Sequence, residues 1–436
     1  MIQTNVIQGK TASIRLKMVV NMLPIIVLML FYYTHYIVGT YSFFIPLLLL
    51  IFWVIQSVMI SSVKNVMFNR IATGWWIYLF LCVAMVIIGL SSTNMNFVIS
   101  RLPIYIIPGM GYFVIKNYNK RESIILLVFF ALIYGANLIY NIVLGTTMPD
   151  IFEEQESTEL LIQFGIMMNI ASTGFISVGV FLVGILFMVV LLRKGLIKRL
   201  FPILMAIPIG YYMLFQNTRG TAILLLLVEM VGLVIAYFEP RNRRNIRPYY
   251  IGMGIGLIIL TFVLFIPIIE FIIQNLESER LAERMEDLID LKQSGGNTSQ
   301  LDEGSLAMRL LLAQTSLNTW LANPLNFLIG IGDHTQSFGG DLIKSGVGGH
   351  SEFIDVAARY GVVGIIVFVN IVKDYYKMLK RLAYSRDVQK YVIIIFVIFI
   401  LTGVFNNVYQ PLMLLFLYIV LPIIIELTNL SINYRK

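Results

Sequence analysis

Residues 171–192, ASTGFISVGVFLVGILFMVVLL, contain no charged side chain and are followed at once by Arg193 and Lys194. A transmembrane α-helix needs about 20 consecutive, mostly apolar residues. Lysine and arginine concentrate in the cytoplasmic loops of membrane proteins. The segment therefore predicts a membrane-spanning helix whose C-terminal end faces the cytoplasm.

The same pattern recurs along the chain. Of its 436 residues, 58% are hydrophobic and 13% are charged, whereas soluble domains contain about a quarter charged residues. We predict an all-α polytopic membrane protein with about twelve transmembrane helices. The first helix lacks a small-residue cleavage site, so we interpret it as a retained span and not as a signal peptide. The predicted spans are 18–34, 42–60, 72–90, 98–115, 124–144, 171–192, 200–216, 221–238, 249–273, 360–378, 391–408 and 411–428.

The positions of the cations predict the orientation of these spans. A net charge of +8 is typical of nucleic-acid-binding proteins, but 24 of the 32 lysines and arginines fall in alternate loops and at the two ends of the chain. The positive-inside rule places these segments, including both termini, in the cytoplasm. The charge therefore indicates topology, and we expect no nucleic-acid partner. The cations are Lys10, Arg15, Lys17, Lys64, Arg70, Lys116, Lys120, Arg121, Arg193, Lys194, Lys198, Arg199, Arg241, Arg243, Arg244, Arg247, Lys373, Lys377, Lys380, Arg381, Arg386, Lys390, Arg435 and Lys436.

One predicted connection, on the outer side, is much longer than the others. It divides the chain into helices 1–9 (residues 1–273), an extracytoplasmic loop subdomain (residues 274–359) and helices 10–12 (residues 360–436). Long loops are usually functional or disordered. The loop shows helical periodicity over residues 281–288 and 305–321, and Asn323-Pro324 ends the second predicted helix. These patterns indicate a folded, functional loop.

Three arginines on the predicted outer side are candidate anion ligands, because a guanidinium group presents a fixed fork of donors to phosphate. Arg219 opens the eighth span, Arg309 lies on the second loop helix, and Arg101 lies near the outer end of the fourth span. The alternatives are an interface anchor for Arg219 and a solvated helix charge for Arg309. A charge within a span, such as Arg101, usually faces protein or water. Glu229, inside the eighth span, either pairs with an arginine of the bundle or is protonated.

All three histidines, His35, His334 and His350, lie on the predicted outer side. His350 follows two glycines and precedes Ser351, whose hydroxyl we expect to cap the next helix. The positive end of that helix favours a neutral, proton-accepting imidazole, whereas the negative charge of Glu352 favours the protonated form. His350 is therefore a candidate general base or an ordinary surface residue. We expect a structural role for His334 and an interfacial one for His35.

Motifs for cofactor or metal chemistry are absent from the sequence. It contains no P-loop, no G-x-G-x-x-G motif and no H-E-x-x-H motif. The single cysteine, Cys82, excludes an intrachain disulfide and a cysteine-based zinc site. Loop acidity explains carboxylates such as Asp302 and Glu303, so we expect no metal and no cofactor.

Three sequence motifs resemble those of the O-antigen ligase and polysaccharide polymerase superfamily, and they occur in the same order along the chain. The resemblance covers residues 200–365 at motif level and the whole chain in topology. Ser351 departs from the asparagine that many relatives carry after the histidine, a difference that bears on the ligase branch more than on the superfamily. The motifs are Asn217-Thr218-Arg219-Gly220; Arg309 ahead of Trp320, Asn323-Pro324-Leu325 and Gly330-Ile331-Gly332; and Gly349-His350-Ser351-Glu352-Phe353 leading to Tyr360-Gly361-Val362-Val363-Gly364.

The resemblance implies a GT-C-like glycosyltransferase in the bacterial plasma (inner) membrane. Its donor would be a glycan on polyprenyl diphosphate, transferred with inversion at the outer face without a metal. The implied roles are diphosphate binding for Arg219 and Arg309, with Arg101 as a helper, general base catalysis for His350, and support for Glu352, His334 and Glu229.

Within the superfamily we predict a polymerase, which joins lipid-linked oligosaccharide repeats into a capsule or O-antigen-type polymer. A ligase that passes the glycan to another acceptor is the first alternative. A flippase or transporter is the second, and it predicts related halves and midplane charges, whereas the charges here gather at the outer boundary. The expected partners are the lipid-linked donor and acceptor, the bilayer, and other polysaccharide export or flippase proteins.

Overall fold

The computed structural model describes part of the chain. All regular secondary structure within it is helical, which confirms the all-α prediction for these residues. The described residues are 2–34, 44–91, 93, 95–147, 173–192, 196–213, 225–226, 228–234, 306–333, 346–349 and 351–433.

The helices with defined bounds among the described residues are numbered α1 to α15 in chain order. A π-helical turn, Phe416–Val420, joins the last two into one continuous segment. The helices are α1 (Ile2–Thr34), α2 (Phe44–Ile60), α3 (Val63–Met67), α4 (Arg70–Ile87), α5 (Met95–Ser100), α6 (Leu102–Asn117), α7 (Lys120–Thr147), α8 (Thr173–Leu192), α9 (Leu196–Tyr211), α10 (Leu306–Leu321), α11 (Pro324–Ile329), α12 (Glu352–Leu382), α13 (Arg386–Phe405), α14 (Pro411–Leu415) and α15 (Leu421–Asn433).

Eight segments of the described residues are long and apolar enough to cross a membrane, and each overlaps one of the twelve predicted spans. Two shorter apolar helices, Phe44–Ile60 and Pro202–Tyr211, overlap the second and seventh predicted spans. The chain is thus a polytopic membrane protein. The count of twelve stays a prediction, because the ninth span and most of the 274–359 loop lie outside the described residues. The eight segments are Arg15–Tyr33, Arg70–Ile87, Met95–Asn117, Lys120–Val143, Phe175–Leu192, Glu352–Leu382, Arg386–Phe405 and Pro411–Asn429.

The chain divides into two compact units, and α12 contributes residues to both. The domain boundary predicted after residue 273 lies outside the described residues, and the one predicted after residue 359 falls within α12. The first unit comprises Met1–Phe175, Ile366–Leu382 and Tyr409–Ser431; the second comprises Ile176–Ile365, Ala383–Val408 and Ile432–Lys436.

Buried polar side chains join helices within the first unit. Asn21 of α1 donates to Ser57 Oγ of α2 (2.8 Å) and accepts from the hydroxyl of Tyr118 (2.6 Å), which follows α6. Asn21 and Ser57 are completely buried. Between apolar helices such hydrogen bonds contribute specificity, because the lipid offers no alternative partner to these groups.

In the second unit, α10 and α11 form a tight helical corner. Asn323 Oδ1 accepts from the backbone N–H of Asn326 (2.8 Å), and Pro324 occupies the first helical position of α11. Trp320 stacks on Phe327, with ring centroids 5.3 Å apart. The end predicted for the loop helix at Asn323-Pro324 is therefore confirmed, since α10 stops at Leu321.

A kink at Gly361 breaks α12 after its first nine residues. Gly361 has φ +58° and ψ −154°, and a Cβ there would come within 2.4 Å of the Leu328 carbonyl carbon of α11. Only glycine combines this backbone conformation with such a close approach. The kink separates a short helix, residues 352–360, from the 21 residues that complete α12, a length sufficient to cross a bilayer.

Candidate functional site

A buried hydrogen-bond network surrounds the segment that precedes α12. Asp355, fully buried, accepts from Ser316 Oγ of α10 at Oδ1 (2.6 Å) and from the backbone N–H of Ser351 at Oδ2 (3.2 Å). Ser316 Oγ also accepts from the backbone N–H of Gly348 (2.8 Å). These four residues, which we call the Asp355 network, tie α10, the loop and α12 together.

Two further contacts restrain the same loop. A Cβ at Gly348 would lie 2.3 Å from the carbonyl oxygen of Leu312, so the loop backbone packs directly on α10. Asn407, which follows α13, donates its side-chain N–H to the carbonyl oxygen of Gly349. The residues on either side of position 350 are therefore both held, Gly349 through its carbonyl and Ser351 through its N–H.

A buried ion cluster continues from the network toward α11. Arg359 Nε lies 3.4 Å from Asp333 Oδ1, and its Nη2 lies 4.0 Å from Asp355 Oδ2. Tyr360 donates its hydroxyl to Asp333, and the backbone N–H of Gly332 donates to the Arg359 carbonyl (2.8 Å). One guanidinium group thus faces two buried carboxylates, an arrangement that stabilises all three charges only while the set is complete.

The predicted catalytic histidine and two other predicted residues lie outside the described part of the chain: His350, Arg219 and His334. Their roles stay predictions. What the structure adds for His350 is the environment of its two neighbours in the chain, Gly349 and Ser351.

Arg309 lies on α10, where its backbone is described. Position 309 precedes Leu312 by three residues and Ser316 by seven, so at 3.6 residues per turn the three positions share one face of the helix. Leu312 and Ser316 contact the loop at Gly348. The structure therefore brings position 309 to the helix face that meets the loop of the predicted base.

The remaining predicted residues are Arg101, Glu352 and Glu229. Arg101 occupies the break between α5 and α6, with its guanidinium carbon 4.2 Å from the ring centroid of Phe97, in the first unit. Glu352 is the first residue of α12 and is buried. Glu229 lies in the helical residues 228–234 of the second unit.

Glu229 is completely buried against Gly184 of α8. A Cβ at Gly184 would lie 2.0 Å from Glu229 Oε1, so the carboxyl group fills the space that the glycine leaves. Within the described part of the chain neither carboxyl oxygen has a hydrogen-bond partner. The arginine pairing considered for Glu229 is therefore not found among these residues.

The expected capping bond from the Ser351 hydroxyl is wrong. Ser351 Oγ is buried and has no hydrogen-bond partner among the residues that the structure describes. Asp355, four residues into the helix, accepts from the Ser351 N–H instead. A carboxylate that reaches back to the first N–H of a helix resembles one half of a capping box, and Ser316 orients it from the other side.

Sequence reasoning did not identify Ser316 or Asn407. Ser316 bonds to residues 32 and 39 positions away, and Asn407 bonds to a residue 58 positions away. Neither residue belongs to a local motif, so only the folded chain identifies them as supports of the loop.

The part of the chain that holds the Asp355 network matches a known protein family. Residues 204–369 match the family model described as O-Antigen ligase. The matched segment begins in α9, ends in α12 and contains the whole Asp355 network. No curated protein matches the chain.

Proposed function

We propose that the protein polymerises lipid-linked oligosaccharides, on the premise that residues 204–369 match the family model described as O-Antigen ligase. The proposed donor is an oligosaccharide repeat on polyprenyl diphosphate, and the proposed acceptor is a second lipid-linked repeat. The reaction takes place at the outer face of the plasma membrane, with both termini in the cytoplasm.

The observation that carries the proposal is the double restraint on the loop at position 350. A general base must stay within hydrogen-bond reach of the proton that it removes, and catalytic groups require positioning to about 0.5 Å. The Ser351 bond to Asp355 and the Gly349 bond from Asn407 supply such restraint on both sides of His350. This supports His350 as the base that activates the acceptor hydroxyl.

The diphosphate side of the reaction is assigned to arginines. Position 309 shares the α10 face with Ser316, and we assign the same role to Arg219, which lies near the start of the matched segment in the sequence. Preorganised guanidinium groups stabilise a leaving diphosphate without a metal. We propose Arg101 as a helper in this role, and Glu352, His334 and Glu229 as supporting residues.

The proposed step is a direct displacement with inversion. The acceptor hydroxyl oxygen attacks the anomeric carbon of the donor and forms the new glycosidic bond. The bond from that carbon to the diphosphate oxygen breaks, and polyprenyl diphosphate leaves with the electron pair. His350 takes the hydroxyl proton.

The reaction class is tested with purified full-length protein in nanodiscs, given a polyprenyl-diphosphate oligosaccharide as the only substrate. We expect a ladder of glycans that grow by whole repeats and remain lipid-linked. Transfer only after a non-lipid acceptor is added would favour the ligase branch. Movement of the substrate across a vesicle membrane without any new glycosidic bond would contradict glycosyl transfer altogether.

A further inference from the structure

A pocket of about 240 Å³ lies within the first unit, where three candidate membrane spans end. Arg70 is the first residue of α4, Lys116 is next to last in α6, and Arg381 is next to last in α12. All three line the pocket. The pocket therefore lies at the level at which these helices leave the membrane.

The rim of the pocket is strongly basic. Lys377 adds a fourth cation one helical turn before Arg381, and Asp374 is the single carboxylate. Arg70 donates from Nε and Nη2 to Asp374 Oδ1, at 3.1 and 2.9 Å. Four cations against one carboxylate leave a formal excess of three positive charges around the opening.

The deeper wall of the pocket is apolar. Ile71, Met378 and Leu382 are buried side chains from α4 and α12, and Tyr112 and Ile115 of α6 complete this wall. Tyr112 lies five residues before the end of α6, about 7.5 Å along the helix axis. The pocket thus combines an exposed cationic rim with a largely apolar inner wall.

We propose that this pocket binds the phosphate group of an anionic membrane phospholipid, with the start of an acyl chain against the apolar wall. The excess positive charge selects an anionic headgroup, and basic pockets between transmembrane helices are suited to such headgroups. A free phosphate ion would leave the apolar wall uncovered, whereas a phospholipid matches both surfaces. The bound lipid would join the ends of α4, α6 and α12.

The test measures lipid binding by the full-length protein in a neutral detergent. Phosphatidylglycerol, phosphatidylcholine with the same acyl chains, and inorganic phosphate are titrated separately, and bound molecules are counted by native mass spectrometry. We expect phosphatidylglycerol to bind most tightly. In the double variant Lys377→Gln/Arg381→Gln its affinity should fall about 30-fold, since each cation removed should weaken binding about fivefold.

The matched control is Lys373→Gln/Lys380→Gln. These two lysines lie on the same end of α12, are exposed, and do not line the pocket. The control also removes two positive charges and should retain the affinity within about threefold. An equal loss of phosphatidylglycerol affinity in both double variants would show that the general surface charge causes the effect, and it would overturn the proposal.

Two other results would also overturn it. Equal affinity for phosphatidylglycerol and phosphatidylcholine would remove the anionic selectivity, and full competition by inorganic phosphate at matched concentration would indicate a site for a soluble anion. The inference is independent of glycosyl transfer, because lipid binding and glycan extension are measured separately on the same variants.

Discussion

Ser316 Oγ of α10 lies 2.6 Å from Asp355 Oδ1 of α12 and donates a hydrogen bond to it. The same oxygen accepts the backbone N–H of Gly348. One hydroxyl group therefore connects a helix of the loop region, the loop that carries the proposed base and the helix that follows it. The proposed chemistry depends on this connection, and each residue that forms it can be substituted separately.

Removing the Ser316 hydroxyl tests the connection directly. In Ser316→Ala, the buried Asp355 carboxylate loses a donor and the Gly348 N–H loses an acceptor. We expect a loss of about 1–3 kcal/mol of stability, because buried groups are left unpaired, together with slower glycan extension. Thermal unfolding in detergent and the extension rate are the two measurements.

The control for this change is Thr315→Ala on the same helix. The Thr315 hydroxyl donates only to the carbonyl of Leu311 one turn back (3.0 Å), so its loss should leave extension close to the wild-type rate. Ser316→Ala and Thr315→Ala with the same stability and the same extension rate would remove Ser316 from any special role.

The close packing of the loop on α10 is tested at Gly348. In Gly348→Ala the added methyl group would lie 2.3 Å from the Leu312 carbonyl oxygen, so the loop must move. We expect extension to fall at least about tenfold, because small displacements of a catalytic group have large effects on rate.

Gly135→Ala in α7 is the matched control, since nothing lies within 4 Å of a Cβ there. It should keep full activity and gain up to about 1 kcal/mol of stability, as expected for alanine in place of glycine within a helix. Full activity of Gly348→Ala would show that the loop tolerates displacement.

The buried ion cluster and an exposed ion pair should respond differently to loss of the cation. In Arg359→Met the carboxylates of Asp333 and Asp355 remain buried without their guanidinium group, and we expect a loss of about 3–5 kcal/mol. In Arg70→Met, which breaks the exposed pair with Asp374, the loss should be at most about 1 kcal/mol. Thermal unfolding compares the two, and equal losses would contradict the stabilising role of the buried cluster.

The packing of Glu229 on Gly184 predicts coupling between the two positions. Gly184→Ala alone should lower stability, because its methyl group would overlap the Glu229 carboxyl group. Adding Glu229→Ala removes that overlap, so the double variant should lose less than the sum of the two single losses. Simple additivity in thermal unfolding would contradict the contact. Gly210→Ala, with open space around its Cβ, serves as the control and should not lower stability.

Sequence patterns predicted the features of this fold that depend on neighbouring residues. A span such as Phe175–Leu192 is visible as an apolar run, and α10 ends where Asn323-Pro324 predicts. The family match over residues 204–369 agrees with the ordered motifs between residues 200 and 365.

The supports of the loop were not predictable in the same way. Ser316, Asp355 and Asn407 act across 32 to 58 residues of sequence, and no local pattern marks such partners. The predicted Ser351 cap was wrong for a related reason. Local rules favour a serine hydroxyl at a helix start, but the tertiary bond from Ser316 holds a carboxylate in position to accept the Ser351 N–H.

The central proposal is that His350, which lies on a restrained loop, removes the proton of the acceptor hydroxyl. The most direct test compares the glycan extension rate of His350→Ala with that of His35→Ala. Both variants lose one histidine, but His35 lies outside the matched residues 204–369. We expect a fall of about 10²- to 10⁴-fold for His350→Ala and a wild-type rate for His35→Ala. A wild-type rate for folded His350→Ala would contradict the proposed mechanism.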